Sequence, residues 1–190
     1  MGGMHGVNGV QFVPFKKRGK PGRIFDLSKR SPVSTTLNGR CVAQMPDGRI
    51  MDGMFKEGSF VKGKITYPVA NQARISYEGG CVNNKFDGLG VLTLRSGEVR
   101  TGVFSGGNFV SGKIRYPETN EKRCYEGLCV DNKFDGSGTL TLKNGEVGNG
   151  VFNKGFFVKG KITYPVANPI LISYEGCCVK NKYDGFGVLT

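Results

Sequence analysis

Six cysteines, one histidine and the Asp-Gly steps that recur at Asp87, Asp135 and Asp184 are the residues of this chain best suited to chemistry. The cysteines are Cys41, Cys81, Cys124, Cys129, Cys177 and Cys178, and the histidine is His5. A zinc site would want Cys and His in closely spaced pairs, but no CxxC occurs, so no metal is expected. Nucleophilic catalysis wants a His beside the nucleophile, and only His5, in the glycine-rich start, is on offer. No phosphate loop of the P-loop type is present. The Asp-Gly steps at Asp87, Asp135 and Asp184 are read as turns rather than as acid–base groups. The chain is therefore read as non-enzymatic and without a cofactor.

Binding is the other chemistry on offer. Lys16, Lys17, Arg18, Lys20 and Arg23 form a short basic run broken by Gly19, Pro21 and Gly22. Further along, Lys62 and Lys64 stand two apart, as do Lys113 and Arg115, and Lys159 and Lys161. In a strand, residues two apart share a face. These clusters are either a solvated face or a track for an anionic partner along which charge would sum.

The elements that carry these residues follow from composition. The chain has 190 residues, of which 31 are Gly, 13 Phe and 7 Tyr, with no Trp. Glycine this dense argues against a helical bundle, because each interior glycine costs a helix about 1 kcal/mol. It is assigned to turns between many short strands. Twenty aromatics and a 38% apolar content argue against wholesale disorder. The net charge is +12, and it is uneven. Residues 1–40 hold eight basic residues against one acid, and residues 41–190 hold 19 against 14. Residues 1–36 are read as a basic, glycine-rich, irregular arm. No signal-peptide core follows a basic start. With no secretion signal, the thiols are expected to be free in a reducing, intracellular compartment.

The remainder, residues 37–190, is a repeat. Tyr77-Glu78-Gly79 returns at Tyr125 and at Tyr174, with spacings of 48 and 49. Asn84-Lys85-Phe86-Asp87-Gly88-Leu89-Gly90 returns at Asn132, with Ser137 for Leu89, and at Asn181, with Tyr183 for Phe86 and Phe186 for Leu89. Gly53, Phe55, Gly58, Phe60 and Gly63 return from Gly102 and from Gly150, each time running into Lys-Ile-x-Tyr-Pro. Each unit splits into halves of 23–25 residues, and each half reads as one hairpin. Stacked hairpins make a long, twisted antiparallel sheet. The repeated Tyr and Phe are read as its core. Asn84, Asn132 and Asn181 are read as left-handed turn residues and the repeated Pro as strand ends. Equivalent cysteines lie four strands, roughly 19 Å, apart and cannot bridge. Leu37-Asn38-Gly39 and the following residues read as a degenerate opening half.

These residues resemble the MORN repeat family. Tyr77, Gly79, Lys85, Gly88 and Gly90 carry the pattern, and it returns at Tyr125 through Gly138 and at Tyr174 through Gly187. Cys81, Cys129 and Cys178 stand where many such repeats carry Trp. The resemblance implies an all-β array of stacked hairpins and a structural or scaffold role in a large cytoskeletal, ciliary or virus-particle assembly. The expected partners are other proteins of that assembly, including further copies of the chain. They would be held through the basic arm and through the last strand, Gly187, Val188, Leu189 and Thr190, as a sheet edge. An anionic membrane is the alternative partner and nucleic acid a weaker one.

Overall fold

The computed structural model describes residues 11–14, 38–167 and 170–190. They form one 14-stranded antiparallel sheet whose strands lie in sequence order. The strands are β1 (Gln11–Pro14), β2 (Gly39–Gln44), β3 (Ile50–Lys56), β4 (Ser59–Thr66), β5 (Arg74–Val82), β6 (Lys85–Leu94) and β7 (Val99–Ser105). Then come β8 (Asn108–Arg115), β9 (Lys122–Val130), β10 (Lys133–Leu142), β11 (Val147–Asn153), β12 (Phe156–Thr163), β13 (Ser173–Val179) and β14 (Lys182–Leu189). The 48-residue period is thus four strands, and the array is all-β as expected.

Turn chemistry sets the register. Asn83-Asn84, Asp131-Asn132 and Lys180-Asn181 all have positive φ, between 48° and 63°. Two such residues in succession make the I′ turn whose twist matches a hairpin. The repeated Asn therefore plays the left-handed part read from sequence. Pro68, Pro117 and Pro165 each fall just past a strand end, where no ladder needs an N–H.

Glycine departs from the turn-only reading. Gly53, Gly63, Gly79, Gly90, Gly102 and Gly112 lie directly opposite one another on β3–β8. Gly127, Gly138, Gly150, Gly160, Gly176 and Gly187 continue the line to β14. This is a glycine ladder through mid-strand, not hairpin punctuation. At Gly79, Gly90, Gly127, Gly138, Gly176 and Gly187 a tyrosine takes space that a Cβ would need, and at Gly53, Gly63, Gly102, Gly112, Gly150 and Gly160 the backbone of the neighbouring strand does. Tyr77 lies across the ladder and donates its hydroxyl to the Gly80 carbonyl at 2.9 Å; Tyr125 does so to Leu128 at 2.8 Å and Tyr174 to Cys177 at 2.7 Å. Tyr77 stacks on Phe86 with centroids 3.7 Å apart, and Phe104 meets Tyr77 edge-on at 5.3 Å. Tyr125, Phe134 and Phe152 repeat the motif. Among the described residues no second layer covers this face, and the sheet's own aromatics lie down on it.

The Asp-Gly steps also differ from the turn reading. Asp87-Gly88 and Asp135-Gly136 lie inside β6 and β10, at register shifts. They form bulges, with Gly88 and Gly136 at φ 76° and 87°. Asp87 Oδ2 accepts from Gly106 N at 3.3 Å and Asp135 Oδ2 from Lys154 N at 3.2 Å, so each carboxylate caps the next hairpin turn. Asn38 Oδ1 does the same for Glu57 N at 3.0 Å. The degenerate opening half thus keeps this joint.

Within the segment read as an irregular arm, Gln11–Pro14 forms β1. Phe12 faces Ala43 in register, as Tyr77 faces Leu92. β1 therefore takes the place of the missing Tyr-Glu-Gly strand, because β2 otherwise presents an unpaired ladder edge.

Candidate interaction surface

The sheet has two unlike faces. One carries the rings; the other carries the cations read from sequence. On that outer face, cross-strand pairing builds three rows. The middle row runs Val42, Asp52, Lys64, Glu78, Val91, Thr101, Lys113, Glu126, Thr139, Asn149, Lys161, Glu175 and Val188. Lys64, Lys113 and Lys161 thus fall in one line, four strands apart. Each stands directly beside the Glu of a Tyr-Glu-Gly motif. Lys113 Nζ lies 3.5 Å from Glu126 Oε2. The line is a row of Lys–Glu dipoles rather than a continuous positive track, because the strand that follows each Lys brings a Glu to the same face.

Lys62 and Lys159 lie in the neighbouring row, opposite Met54 and Val151 respectively. Arg115 lies in the third row, between Val99 and Cys124. The row of Lys62 and Lys159 also holds Leu89, Val103, Leu128 and Phe186, all exposed, with Leu89 at 76% and Phe186 at 101%. Lys16, Lys17, Arg18, Lys20 and Arg23 lie outside the described residues.

The last strand is placed at the sheet's edge, where Gly187, Val188 and Leu189 pair with β13 alone. Thr190 continues that pairing through its hydrogen bonds with Ser173. Here one core expectation weakens. Phe86 and Phe134 are each 5% exposed, but their counterpart Tyr183 is 45% exposed. In the earlier copies Phe104 and Phe152, on the next strand, cover the ring pair; β14 has no such neighbour in the sheet.

The ring face holds cations that the sequence reading missed. Arg74 lies over Phe86 at 5.2 Å and Tyr67 at 5.7 Å, and Lys122 over Phe134 at 5.2 Å and Tyr116 at 5.8 Å. Simple alternation puts Arg74 opposite to Tyr77, but a register shift between Arg74 and Ser76 turns it over. Arg49, Met51, Phe60, Tyr67, Arg74 and Phe86 help to line a shallow pocket of about 160 Å³ on this face.

All six cysteines are free thiols. Cys177 is exposed and Cys178 buried, so the adjacent pair points to opposite faces as expected. Burial pushes the Cys81 and Cys129 thiols up to about 11, far from a reactive thiolate at neutral pH. Among the described residues no group of three or more His, Cys, Asp or Glu is placed to hold a metal ion.

A family model, the MORN repeat, matches residues 77–99, 125–147 and 174–190. The chain therefore contains MORN repeats, and these mark a protein-interaction scaffold module rather than a catalytic domain. The matched stretches are the halves containing β5–β6, β9–β10 and β13–β14; the hairpins between them share the ladder and the ring layer without matching. A comparison with curated proteins finds no match.

Proposed function

We propose that this chain is a structural scaffold of a large intracellular assembly, of the cytoskeletal, ciliary or virus-particle kind, and holds partner proteins without catalysing a reaction. The observation that carries the reading is the sheet itself. Among the described residues, fourteen strands in sequence order form a single layer, which presents two long faces. Such a lamina offers shape and repeated contacts rather than an enclosed site. The edge of β14 supports strand addition by a partner. The basic run Lys16–Arg23 supports attachment to an acidic surface.

The anionic-membrane reading draws less support from the same geometry. The outer-face Lys64, Lys113 and Lys161 each stand beside Glu78, Glu126 or Glu175, which cuts the field a lipid surface would feel. The test is crosslinking mass spectrometry on the chain captured gently from cells. Crosslinks from partner proteins to residues 1–36 and to β14 are expected. Recovery of the chain alone, together with salt-sensitive binding to anionic but not neutral vesicles, would replace the scaffold reading with the membrane one.

A further inference from the structure

We infer that the outer face is the interface of a homodimer, in which two copies pack sheet against sheet about a two-fold axis. The axis runs parallel to the strands and passes between β8 and β9. The proposal deepens the scaffold reading by naming one partner, a second copy of the chain.

The argument is one of self-complementarity. A two-fold axis parallel to the strands keeps each row facing itself but reverses its direction. With the axis between β8 and β9, β3 faces the second copy's β14, β4 its β13, and so on to β8 and β9. In the middle row, Lys64 then meets Glu175, Glu78 meets Lys161, and Lys113 meets Glu126. Every Lys of the row faces a Glu, and each pairing occurs twice by symmetry. Thr101 meets Thr139, and Asp52 meets Val188. In the next row Met54 meets Phe186 and Leu89 meets Val151, so these exposed apolar groups cover each other, while Val103 meets Ser137 and Leu128 meets Ser111. Lys62 meets Cys177 and Lys159 meets Gly80. Ile50 meets Thr190 and Arg115 meets Cys124 in the third row. No two like charges oppose each other in any of the three rows.

The competing arrangements do worse. A two-fold axis running across the strands lays the middle row on itself unreversed, so a Lys meets a Lys. Sliding the copies by one four-strand unit keeps the Lys–Glu pairing but removes one distinct pair and strands part of the apolar row. Twelve strands at about 4.8 Å and three rows about 7 Å apart give a patch of roughly 800 Å² per copy, the size of a standard specific interface. Sheets packed face to face lie about 10 Å apart, within reach of Lys and Glu from opposite layers. Exposed Leu89 and Phe186 on a face otherwise rich in Thr and Val are the apolar contribution.

The test uses the full chain. Sedimentation equilibrium is expected to show a dimer, and a zero-length carbodiimide crosslinker is expected to join Lys64 to Glu175 and Lys161 to Glu78. Mixing isotope-labelled and unlabelled chains would show those links to run between copies. Within one copy Lys64 and Glu175 are nine strand steps, about 43 Å, apart, so the link has no intramolecular route. The triple variants K64E/K113E/K161E and E78K/E126K/E175K are each expected to weaken dimerisation by ~100-fold or more through like-charge opposition. Mixed in equal amounts, they are expected to recover a heterodimer. A wild-type monomer at all concentrations, a dimer lacking these crosslinks, or a dimer indifferent to both triple variants would overturn the proposal. Where a variant fails to fold by circular dichroism, the wild-type crosslinks decide. A monomer that still binds other proteins would sink the dimer while leaving the scaffold reading in place.

Discussion

The ring of Tyr77 occupies the space that a side chain on Gly90 would need. A Cβ on Gly90 would lie 2.6 Å from the Tyr77 hydroxyl oxygen and 2.7–2.8 Å from its ring carbons. Tyr125 over Gly138 repeats the contact on the next unit. The Tyr-x-Gly and Gly-x-Gly patterns are thus one device: glycines on neighbouring strands leave a trough, and the tyrosine lies in it.

Gly90→Ala therefore tests the trough. The methyl has no room unless the ring lifts from the sheet, and overpacking of this kind costs about 1–3 kcal/mol. Gly148→Ala is the control. A Cβ there meets only Phe157 at 3.6 Å, an ordinary contact, and its φ is not left-handed. Removing a strand glycine at such a position is expected to be neutral or to stabilise by roughly 0.5–1 kcal/mol. Urea denaturation of the two variants should show opposite signs. Equal losses would mean that the ladder glycines serve something other than the rings.

The hydroxyl of that same tyrosine is a separate contribution. Tyr125→Phe keeps the ring on Phe134 but removes the donor to the Leu128 carbonyl at 2.8 Å. A loss of about 0.5–1.5 kcal/mol is expected, against about 3–5 kcal/mol for Tyr125→Ala, which empties the trough. Melting curves followed by circular dichroism would rank the two. A Phe variant as damaged as the Ala variant would show the hydrogen bond, not the ring, to hold the unit together.

Much of this was legible in the sequence because it is periodic. The spacing of Tyr77, Tyr125 and Tyr174 gave the unit, and Asn84, Asn132 and Asn181 gave the turns. What stayed hidden depends on register. Asp87-Gly88 reads as a turn dipeptide anywhere, and only the pairing of Gly79 with Gly90 and Cys81 with Phe86 makes it a bulge. The Glu beside each Lys is its cross-strand neighbour but 13 or 14 residues away in sequence: Lys64 to Glu78, Lys113 to Glu126, Lys161 to Glu175. Seeing the cations without their cross-strand acids left a solvated face and a track for an anionic partner both open. Arg74 and Lys122 were missed because a register shift breaks strand alternation just before the tyrosine. Phe12 was invisible because β1 lies outside the period and joins the array through β2.

Asn132 carries the turn chemistry to a quantitative test. Its φ is 61° and its Oδ1 accepts from Arg100 Nη1 at 2.6 Å. Asn132→Gly keeps the backbone and loses only an exposed contact, so less than about 1 kcal/mol is expected. Asn132→Ala forces a side chain without Asn's local hydrogen bonding into the left-handed region, at about 1–2 kcal/mol. Thermal midpoints should fall in the order wild type, Gly, Ala. An Ala variant as stable as the Gly variant would show that the hairpin tolerates a different turn.

Alkaline pH should unfold the array, and the sign follows from the buried acids. Burial pushes the Cys81 and Cys129 thiols from 9.0 up to about 11 and the Tyr77 phenol from 10.0 up to about 12. The folded chain keeps protons that the unfolded chain releases. This stabilisation is whole below about pH 9 and is lost as pH climbs through about 11–12. The thermal midpoint should therefore be flat from about pH 7 to 9 and fall beyond. Thiol labelling reports the same burial from the other side. Cys41, Cys81, Cys129 and Cys178 are buried and Cys177 is exposed, so alkylation of the dilute native chain at neutral pH should reach Cys177 and spare those four. Unfolding in urea should make all of them react. Rapid alkylation of Cys81 or Cys129 in the native state would mean that the ring layer opens to solvent. The alkaline loss would then have to come from repulsion among surface charges, which added salt would suppress.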